Sequence, residues 1–441
     1  MKVLVVLTLI LCGGLSAFAE KAELPEKGKE TLINCIEFPD VSYKIFLPED
    51  YDPSKPCAII YTFSPGGGGM VGAHKHANDA TPTIVIGITG TKNGRPEMEY
   101  MGELYAIMWD SLARFNIEPA AQYAGGFSGG AVLSYNLARQ YKERISGVMA
   151  SCGWLQMMYD PWFVYPKGLL VARTTGENDK GAISYGVKDK DHLKKAGCVI
   201  KDWAQPGGHA VAAPENIKLM MQWLISQKET DEFPLPERYA ADWNKNPYSP
   251  SSVKDILKMI KLFPHTKISN LAMLKLFEMM KDDKAFCKIT IPASARSEEF
   301  AGFFGYTAYG AAFANDSERF NSAVYALDKL CPDKNSKWGG IVAALYLFSK
   351  EGIAAPKKGL DFIKKYAKAR KVTPYNQLVL AAALLKNGMK PQAQAVAKKF
   401  GNSAGSDKRL AAVLDNLQKG LQDGSDALDA KIWFQGFGEG D

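Results

Sequence analysis

The sequence lacks any internal apolar run long enough to cross a membrane. Beyond residue 20 the best stretch, 341–348, is far shorter than the roughly 20 residues that a spanning helix needs. It also lacks a basic block: the formal charge of +7 is spread along 441 residues, without zinc-knuckle spacing or an aromatic-interleaved basic motif. These absences disfavour a membrane-spanning protein and a nucleic-acid-binding protein.

The first 19 residues have the pattern of a secretory signal peptide. Lys2 precedes an apolar run at 3–11, and the A-F-A motif at 17–19 supplies a cleavage site. The run is too short for a membrane anchor, and Cys12 follows a leucine where a lipoprotein site needs a small residue. We therefore expect a secreted or periplasmic protein that is cleaved after residue 19.

Cysteine is scarce, with 7 in the chain and six after Cys12. An even number of cysteines in an oxidising compartment allows disulfides, and buried free thiols are the alternative. Proximity along the chain favours three pairs: Cys35 with Cys57, Cys152 with Cys198, and Cys287 with Cys331.

Short apolar runs alternate with longer helical stretches within residues 20–228, which we take as one catalytic domain. The strands are predicted at 42–47, 58–63, 83–89, 122–125, 145–151, 168–174 and 198–204, and the helices at 98–115, 130–141, 183–196 and 214–226. Several strands are continuously apolar, as strands covered on both faces are. The alternation predicts an α/β fold with a mostly parallel sheet and helices on both faces.

The second half of the chain has a different pattern. Prolines and charged residues mark a linker at 229–250, an all-α domain follows at 251–435, and a Gly-rich tail ends the chain at 436–441. Two similar stretches contain Gly352 and Gly388, 36 positions apart, close to the period of tetratricopeptide-like helix pairs. A plain helical bundle is the alternative.

Ser128 is the candidate nucleophile, in the motif G-F-S-G-G at 126–130. The motif follows a predicted strand and precedes a predicted helix, and a serine on such a sharp turn needs small neighbours. The turn exposes the hydroxyl and aims the helix N-terminus at the reacting centre, where the N–H of Gly129 stabilises an oxyanion. Because G-x-S-x-G also arises by chance, the strand-turn-helix context is what makes it informative.

A serine needs a base, and only five histidines are present. In enzymes built on such a turn the order along the chain is serine, acid, histidine. His209 lies between the last predicted strand and the last helix of the sheet domain. The acid is expected after the preceding strand, which favours Asp179 over Glu177.

A glycine-rich loop at 64–69 follows the predicted strand 58–63 and is the candidate second half of an oxyanion hole. Its backbone N–H groups, those of Gly66 and Gly67 first, are free of side-chain cover. A flexible turn is the alternative. A phosphate-binding loop is disfavoured, because the Lys-Ser/Thr that should end such a motif is missing.

Two features remain open. His74, His76 and Asp79 lie close together along the chain as metal ligands do, but such spacing is more typical of solvated side chains, and we expect neither a metal nor an organic cofactor. Trp154 and Trp162 follow the strand that ends near residue 151. They are candidates for the floor of an acyl, aryl or sugar pocket, with ordinary packing as the alternative.

Together these motifs resemble the α/β-hydrolase superfamily, and within it secreted esterases such as polyhydroxybutyrate depolymerases and feruloyl esterases. The resemblance covers about residues 40–228 and departs at Ser64-Pro65, where many members have His-Gly. It implies ester hydrolysis through an acyl-enzyme, on an ester substrate that is polymeric or aromatic. Two alternatives stay open: a peptidase resembling prolyl oligopeptidases, and an inert protein that binds a partner through its helical half.

Overall fold

The computed structural model describes residues 24–36, 38–95, 97–141, 144–155, 165–227, 298–330, 337–350, 352–366, 373–400 and 408–434. The predicted signal peptide, linker and tail lie outside these residues, as do Trp162, Cys287 and Cys331. Within them, no helix combines the length and the apolar character that crossing a membrane requires.

An eight-stranded sheet organises the described N-terminal residues, in the order β1-β2-β4-β3-β5-β6-β7-β8. Strand β2 is antiparallel to both of its neighbours, and the six strands from β4 to β8 are parallel. The strands are β1 Glu30–Asn34, β2 Ser42–Phe46, β3 Cys57–Phe63, β4 Thr83–Gly87, β5 Ile117–Phe127, β6 Gly147–Ser151, β7 Leu170–Gly176 and β8 Val199–Gln205.

Helices cover both faces of this sheet. The α-helices are α1 Val71–His74, α2 Glu97–Arg114, α3 Gly129–Gln140, α4 Lys180–Lys195 and α5 Pro214–Ser226, and a 3-10 helix spans Lys75–Asp79. Successive side chains of β3 point to opposite faces of the sheet and so belong to different hydrophobic cores. Tyr61 packs with residues of α2 and α3, whereas Ile60 packs with those of α5. This architecture confirms the predicted α/β-hydrolase fold.

Two of the predicted disulfides are wrong, because Cys35, Cys57, Cys152 and Cys198 are buried free thiols. Cys35 follows β1 and Cys57 begins β3, and the two intervening strands separate them by about 14 Å, twice the Cα separation that a disulfide allows. Cys152 follows the carboxyl end of β6, whereas Cys198 precedes the amino end of β8. Since these strands are parallel, the two thiols lie at opposite edges of the sheet.

The described C-terminal residues are helical, as predicted. The helices are α6 Glu298–Phe313, α7 Ser317–Leu330, α8 Lys337–Phe348, α9 Pro356–Tyr366, α10 Pro374–Lys386, α11 Lys390–Phe400, α12 Lys408–Asp423 and α13 Ala430–Phe434, with a 3-10 helix at Ser425–Ala427. Gly352 and Gly388 stand in the turns of the pairs α8/α9 and α10/α11, with φ of 102° and 77°. The tetratricopeptide-like character of these pairs stays a prediction.

Helix α6 packs directly on α2, with a glycine on each side of the contact. A Cβ on Gly102 would lie 2.6 Å from the backbone of Phe313, and a Cβ on Gly310 would lie 2.8 Å from the side chain of Tyr105. Arg139 of α3 adds a buried hydrogen bond of 3.0 Å to the hydroxyl of Tyr306. The apolar residues of α2, α3 and the C-terminal helices therefore form one continuous core.

Candidate active site

Ser128 stands on a strained turn between β5 and α3. Its φ of 54° is rare for a residue with a side chain, and its N–H donates to the carbonyl of Ser151 on the neighbouring strand at 2.9 Å. The turn needs glycine on both sides. A Cβ on Gly126 would lie 2.3 Å from the carbonyl oxygen of Gly130, and one on Gly130 would lie 2.2 Å from that of Phe63. The backbone is thus folded tightly around the serine.

A chain of two hydrogen bonds links Ser128, His209 and Asp179. His209 Nε2 lies 2.8 Å from Ser128 Oγ, and His209 Nδ1 lies 2.6 Å from Asp179 Oδ2. A carboxylate only accepts, so Nδ1–H donates to Asp179 and leaves Nε2 to accept the hydroxyl proton of Ser128. The three side chains follow β5, β7 and β8, whose carboxyl ends meet at one edge of the sheet.

Asp179 is held rigidly at the start of α4. Its Oδ1 accepts a hydrogen bond of 3.1 Å from the N–H of Ala182, and the residue is 7% exposed. Burial acts to raise the pKa of Asp179, but hydrogen bonds from Ala182 and His209, with the charge of His209, outweigh it and keep this pKa below its ordinary value. Asp179 is therefore ionised near neutral pH. Glu177, the alternative acid, is exposed.

Two aromatic rings lie close to His209. Its ring centroid lies 4.9 Å from that of Phe127 and 6.3 Å from that of Trp154. Trp154 is stacked on Tyr185 of α4, with centroids 5.1 Å apart and an angle of 14° between the rings. The imidazole keeps 41% of its side-chain surface open to solvent. Trp154 thus lies beside the reacting groups, whereas Trp162 is outside the described residues.

The candidate oxyanion donors come from two segments. Gly129 opens α3, so its N–H has no partner within the helix. In the glycine-rich loop, the Gly66 N–H donates to Ser64 Oγ at 3.3 Å, and the Gly67 N–H donates to the Ser64 carbonyl at 3.2 Å. Gly66 is the more available of the two, because its bond is long and its acceptor is a rotatable hydroxyl. A Cβ on Gly66 would meet no atom within 4 Å, so space is open beside it.

Asn93, in the loop after β4, was missed by the sequence analysis. A Cβ on Gly129 would lie 1.8 Å from Asn93 Oδ1, so the amide side chain covers this glycine. The N–H of Asn93 also donates to the carbonyl of Pro65 at 2.9 Å and ties the two loops together. No local sequence signal distinguishes this asparagine from any other turn residue.

Cys152 was also missed as a site residue. It follows β6 directly and has a φ of 45°, and its Sγ lies 3.9 Å from the carbonyl of Gly208, beside His209. The signal was present, because Cys152 stands just after a strand of the parallel sheet, as Ser128 and Asp179 do. Its side chain belongs to the same edge.

The histidine pair near residue 75 is split between two environments. His74 is fully buried in α1, its Nδ1–H donates to the carbonyl of Met70 at 3.1 Å, and burial lowers its pKa to about 4. His76 instead contacts Asp79 at 3.3 Å on the surface. Among the described residues, the one group of three or more His, Cys, Asp or Glu side chains close enough to share a metal is Cys152, Asp179 and His209.

Comparison with known proteins gives similarity at the level of structure. A scan against protein-family models and a search of curated proteins find no match. Solved structures similar to this chain include a Bacillus cereus carboxylesterase (17% identity, 42% of this chain and 94% of that chain, TM-score 0.35) and a ferulic acid esterase (13%, 46% and 99%, 0.37). A fluorophosphonate-binding serine hydrolase of Staphylococcus aureus is a third (14%, 45% and 99%, 0.36).

Proposed function

We propose that this protein is a serine hydrolase that cleaves carboxylic esters through an acyl-enzyme. The observation that carries the proposal is the hydrogen-bonded chain from Ser128 Oγ through His209 to Asp179, at 2.8 and 2.6 Å. A serine hydroxyl is a weak nucleophile until a base within hydrogen-bond reach takes its proton, and the imidazole must itself be oriented. Both conditions are met, on a turn that holds the serine at the sheet edge.

In this mechanism Ser128 Oγ attacks the carbonyl carbon of the ester while His209 Nε2 takes the hydroxyl proton. Ionised Asp179 stabilises the imidazolium that forms. As the tetrahedral intermediate collapses, His209 returns the proton to the leaving alcohol, and an acyl group remains on Ser128. A water molecule, deprotonated by the same nitrogen, then attacks the acyl carbonyl, and His209 returns the proton to Ser128 Oγ as the acid leaves.

The negative charge of the tetrahedral intermediate is assigned to backbone donors. The N–H of Gly129 points from the start of α3, where the helix dipole also favours an anion. Gly66 supplies the second donor once Ser64 Oγ rotates away, and Gly67 maintains the turn that presents it. This division of roles follows from the lengths of the two hydrogen bonds.

Trp154 is assigned to the substrate pocket, because its ring lies 6.3 Å from His209. Its stacking on Tyr185, which is 46% exposed, extends the apolar surface outwards from the reacting groups. Such a surface suits an ester whose acyl part is a planar aromatic ring. Residues 1–19 are proposed to direct export, which would bring the enzyme to substrates outside the cytoplasm.

Replacement of Ser128 tests the proposal. Ser128→Ala should lower the hydrolysis of p-nitrophenyl acetate by at least about 1,000-fold and abolish covalent labelling by a fluorophosphonate probe. Ser226→Ala is the matched control, because this exposed serine at the end of α5 should leave both readouts unchanged. Labelling of the wild type without ester turnover, together with peptide cleavage, would favour a peptidase, and a folded wild type without any labelling would favour a binding protein.

A further inference from the structure

Three metal-ligating side chains converge beside the proposed nucleophile. The ligand atoms of Cys152, Asp179 and His209 all lie within 4.8 Å of one another. They stand on the loops that follow β6, β7 and β8, three neighbouring strands of the parallel sheet. The sheet order therefore brings together a thiol, a carboxylate and an imidazole that are far apart along the chain.

The thiol has no part in ester hydrolysis as proposed above. Cys152 is fully buried, and its backbone is held at a φ of 45° by a hydrogen bond from its N–H to the carbonyl of Thr174. This conformation costs free energy in a residue with a side chain. Its Sγ is placed within reach of both Asp179 and His209. The thiol thus lies next to the two residues that activate Ser128.

The donor set and its spacing suit zinc. Thiolate, imidazole and carboxylate are the ligands of protein zinc sites, at about 2.3, 2.0 and 2.1 Å, so two ligands at a tetrahedral angle lie about 3.3–3.6 Å apart. His209 Nδ1 and Asp179 Oδ2, at 2.6 Å, would have to separate by less than about 1 Å. Because all the ligand atoms lie within 4.8 Å of one another, Sγ would have to approach by at most about 1.3 Å.

We propose that Zn²⁺ binds to Cys152, Asp179 and His209 and reversibly switches the site off. The ion enters on the side of His209, which is 41% exposed, and water completes its coordination. The imidazole proton moves from Nδ1 to Nε2, the ion binds the freed lone pair on Nδ1, and the thiol proton of Cys152 is released to solvent. Ser128 contacts the other nitrogen, Nε2, so it is not a ligand.

Zinc binding to His209 removes the base that activates Ser128, and this explains the inhibition. With Nδ1 bound to a dication, the imidazole carries its proton on Nε2, which then has no lone pair with which to take the proton of Ser128. Asp179, now a zinc ligand, no longer stabilises an imidazolium. A chelator removes the ion and restores the hydrogen bond between His209 and Asp179.

Cobalt(II) tests the site without any reference to activity. Titration of the reduced wild-type protein with Co²⁺ should give a near-ultraviolet thiolate-to-cobalt absorption band that saturates at one equivalent and disappears when Zn²⁺ is added. Cys198→Ser should keep the band, because this buried thiol lies at the opposite edge of the sheet, and Cys152→Ser should lose it. A band that survives in Cys152→Ser, or is missing from the wild type, would refute the site.

Inhibition provides the second readout. The Zn²⁺ concentration that halves the uninhibited rate of each protein should rise at least about tenfold in Cys152→Ser and stay unchanged in Cys198→Ser. Mg²⁺, which prefers oxygen ligands, should not inhibit the wild type. Should Cys152→Ser misfold, Cys152→Ala and Asp179→Asn take its place in the cobalt titration. The cobalt result stands even if the protein hydrolyses no ester, so failure of the two proposals is distinguishable.

Discussion

Of the two stacked rings, Trp154 and Tyr185, the tyrosine is the exposed one. Its replacement tests which substrates the protein prefers. If an aromatic acyl group binds along the stack with Trp154, Tyr185→Ala should lower kcat/KM for ethyl ferulate by about three- to tenfold through loss of ring contacts. The same variant should hydrolyse ethyl acetate at the wild-type rate, because an acetyl group is too short to reach the tyrosine.

Val187 supplies the control for this substitution. It lies on the same helix, is 72% exposed, and stands two residues further along, which turns it to a different face of α4. Val187→Ala should leave kcat/KM unchanged for both esters. An equal loss on both esters in Tyr185→Ala would show that the tyrosine supports the site generally and does not recognise a ring.

His74 should make stability depend on pH. Its pKa in the folded protein is about 4, against 6.5 when the ring is solvated, so its neutral form is favoured by folding. Its contribution is complete above about pH 6.5 and is lost as pH falls towards 4, at a cost of about 3 kcal/mol. The free energy of unfolding of the wild type should therefore fall more between pH 7 and pH 4 than that of His74→Asn.

The surface histidine at position 76 is the comparison for this measurement. It is paired with exposed Asp79, and His76→Asn should keep the pH dependence of the wild type. A wild-type curve that runs parallel to that of His74→Asn from pH 7 to pH 4, in chemical denaturation, would contradict the assignment.

Some of the residues at the sheet edge can be predicted from the sequence, and others cannot. Ser128, Asp179 and His209 could be proposed because each follows a predicted strand, in an order that one type of site requires. Cys152 follows a strand as well, but nothing in its neighbours marks its unusual φ. The predicted disulfides were wrong because distance along the chain ignores the strand order, which separates Cys35 from Cys57.

Among the elements, the strands that are buried on both faces are the easiest to predict. β3 and β4 are continuous apolar runs, and their observed bounds lie within two residues of the predicted ones. β1 was missed because it is an edge strand whose residues alternate between exposed and half-buried. α1, with only four residues, is too short to show a helical period.

The turn between β5 and α3 should tolerate no added side chain. In Gly126→Ala the new Cβ would lie 2.3 Å from the carbonyl oxygen of Gly130, so the backbone must shift, and we expect a loss of about 2 kcal/mol or more in the free energy of unfolding. Gly72→Ala is the control: its Cβ would meet nothing closer than 3.9 Å, and alanine favours a helix. Equal stability of the two variants in urea denaturation would contradict this reading of the turn.

For the whole molecule, the helices after residue 298 are structural partners of the sheet. Tyr105 packs against Gly310 of α6, and Arg319 of α7 lies over the ring of Trp109 at 4.9 Å. Both aromatic residues belong to α2, which covers one face of the sheet. The apolar side of α2 is thus shared between the two halves of the chain.

Removal of the C-terminal helices should show that α2 depends on them to cover its apolar side. A chain that ends at Gln227 keeps every residue of the proposed catalytic machinery but uncovers Tyr105 and Trp109. We expect it to unfold at a lower temperature than the full chain, and to aggregate and bind a hydrophobic dye. A truncated protein with the thermal transition of the full chain and no dye binding would show that α2 needs no cover.

The two glycines in the contact between α2 and α6, Gly102 and Gly310, also lead to an expectation for homologous chains. A glycine in the middle of an exposed helix lowers the stability of that helix. We therefore expect larger residues at position 102 wherever a related sheet domain occurs without the C-terminal helices. Where the helices are present, positions 102 and 310 should remain small together. The residues at these two positions would then indicate, from sequence alone, which homologous chains have the helical half.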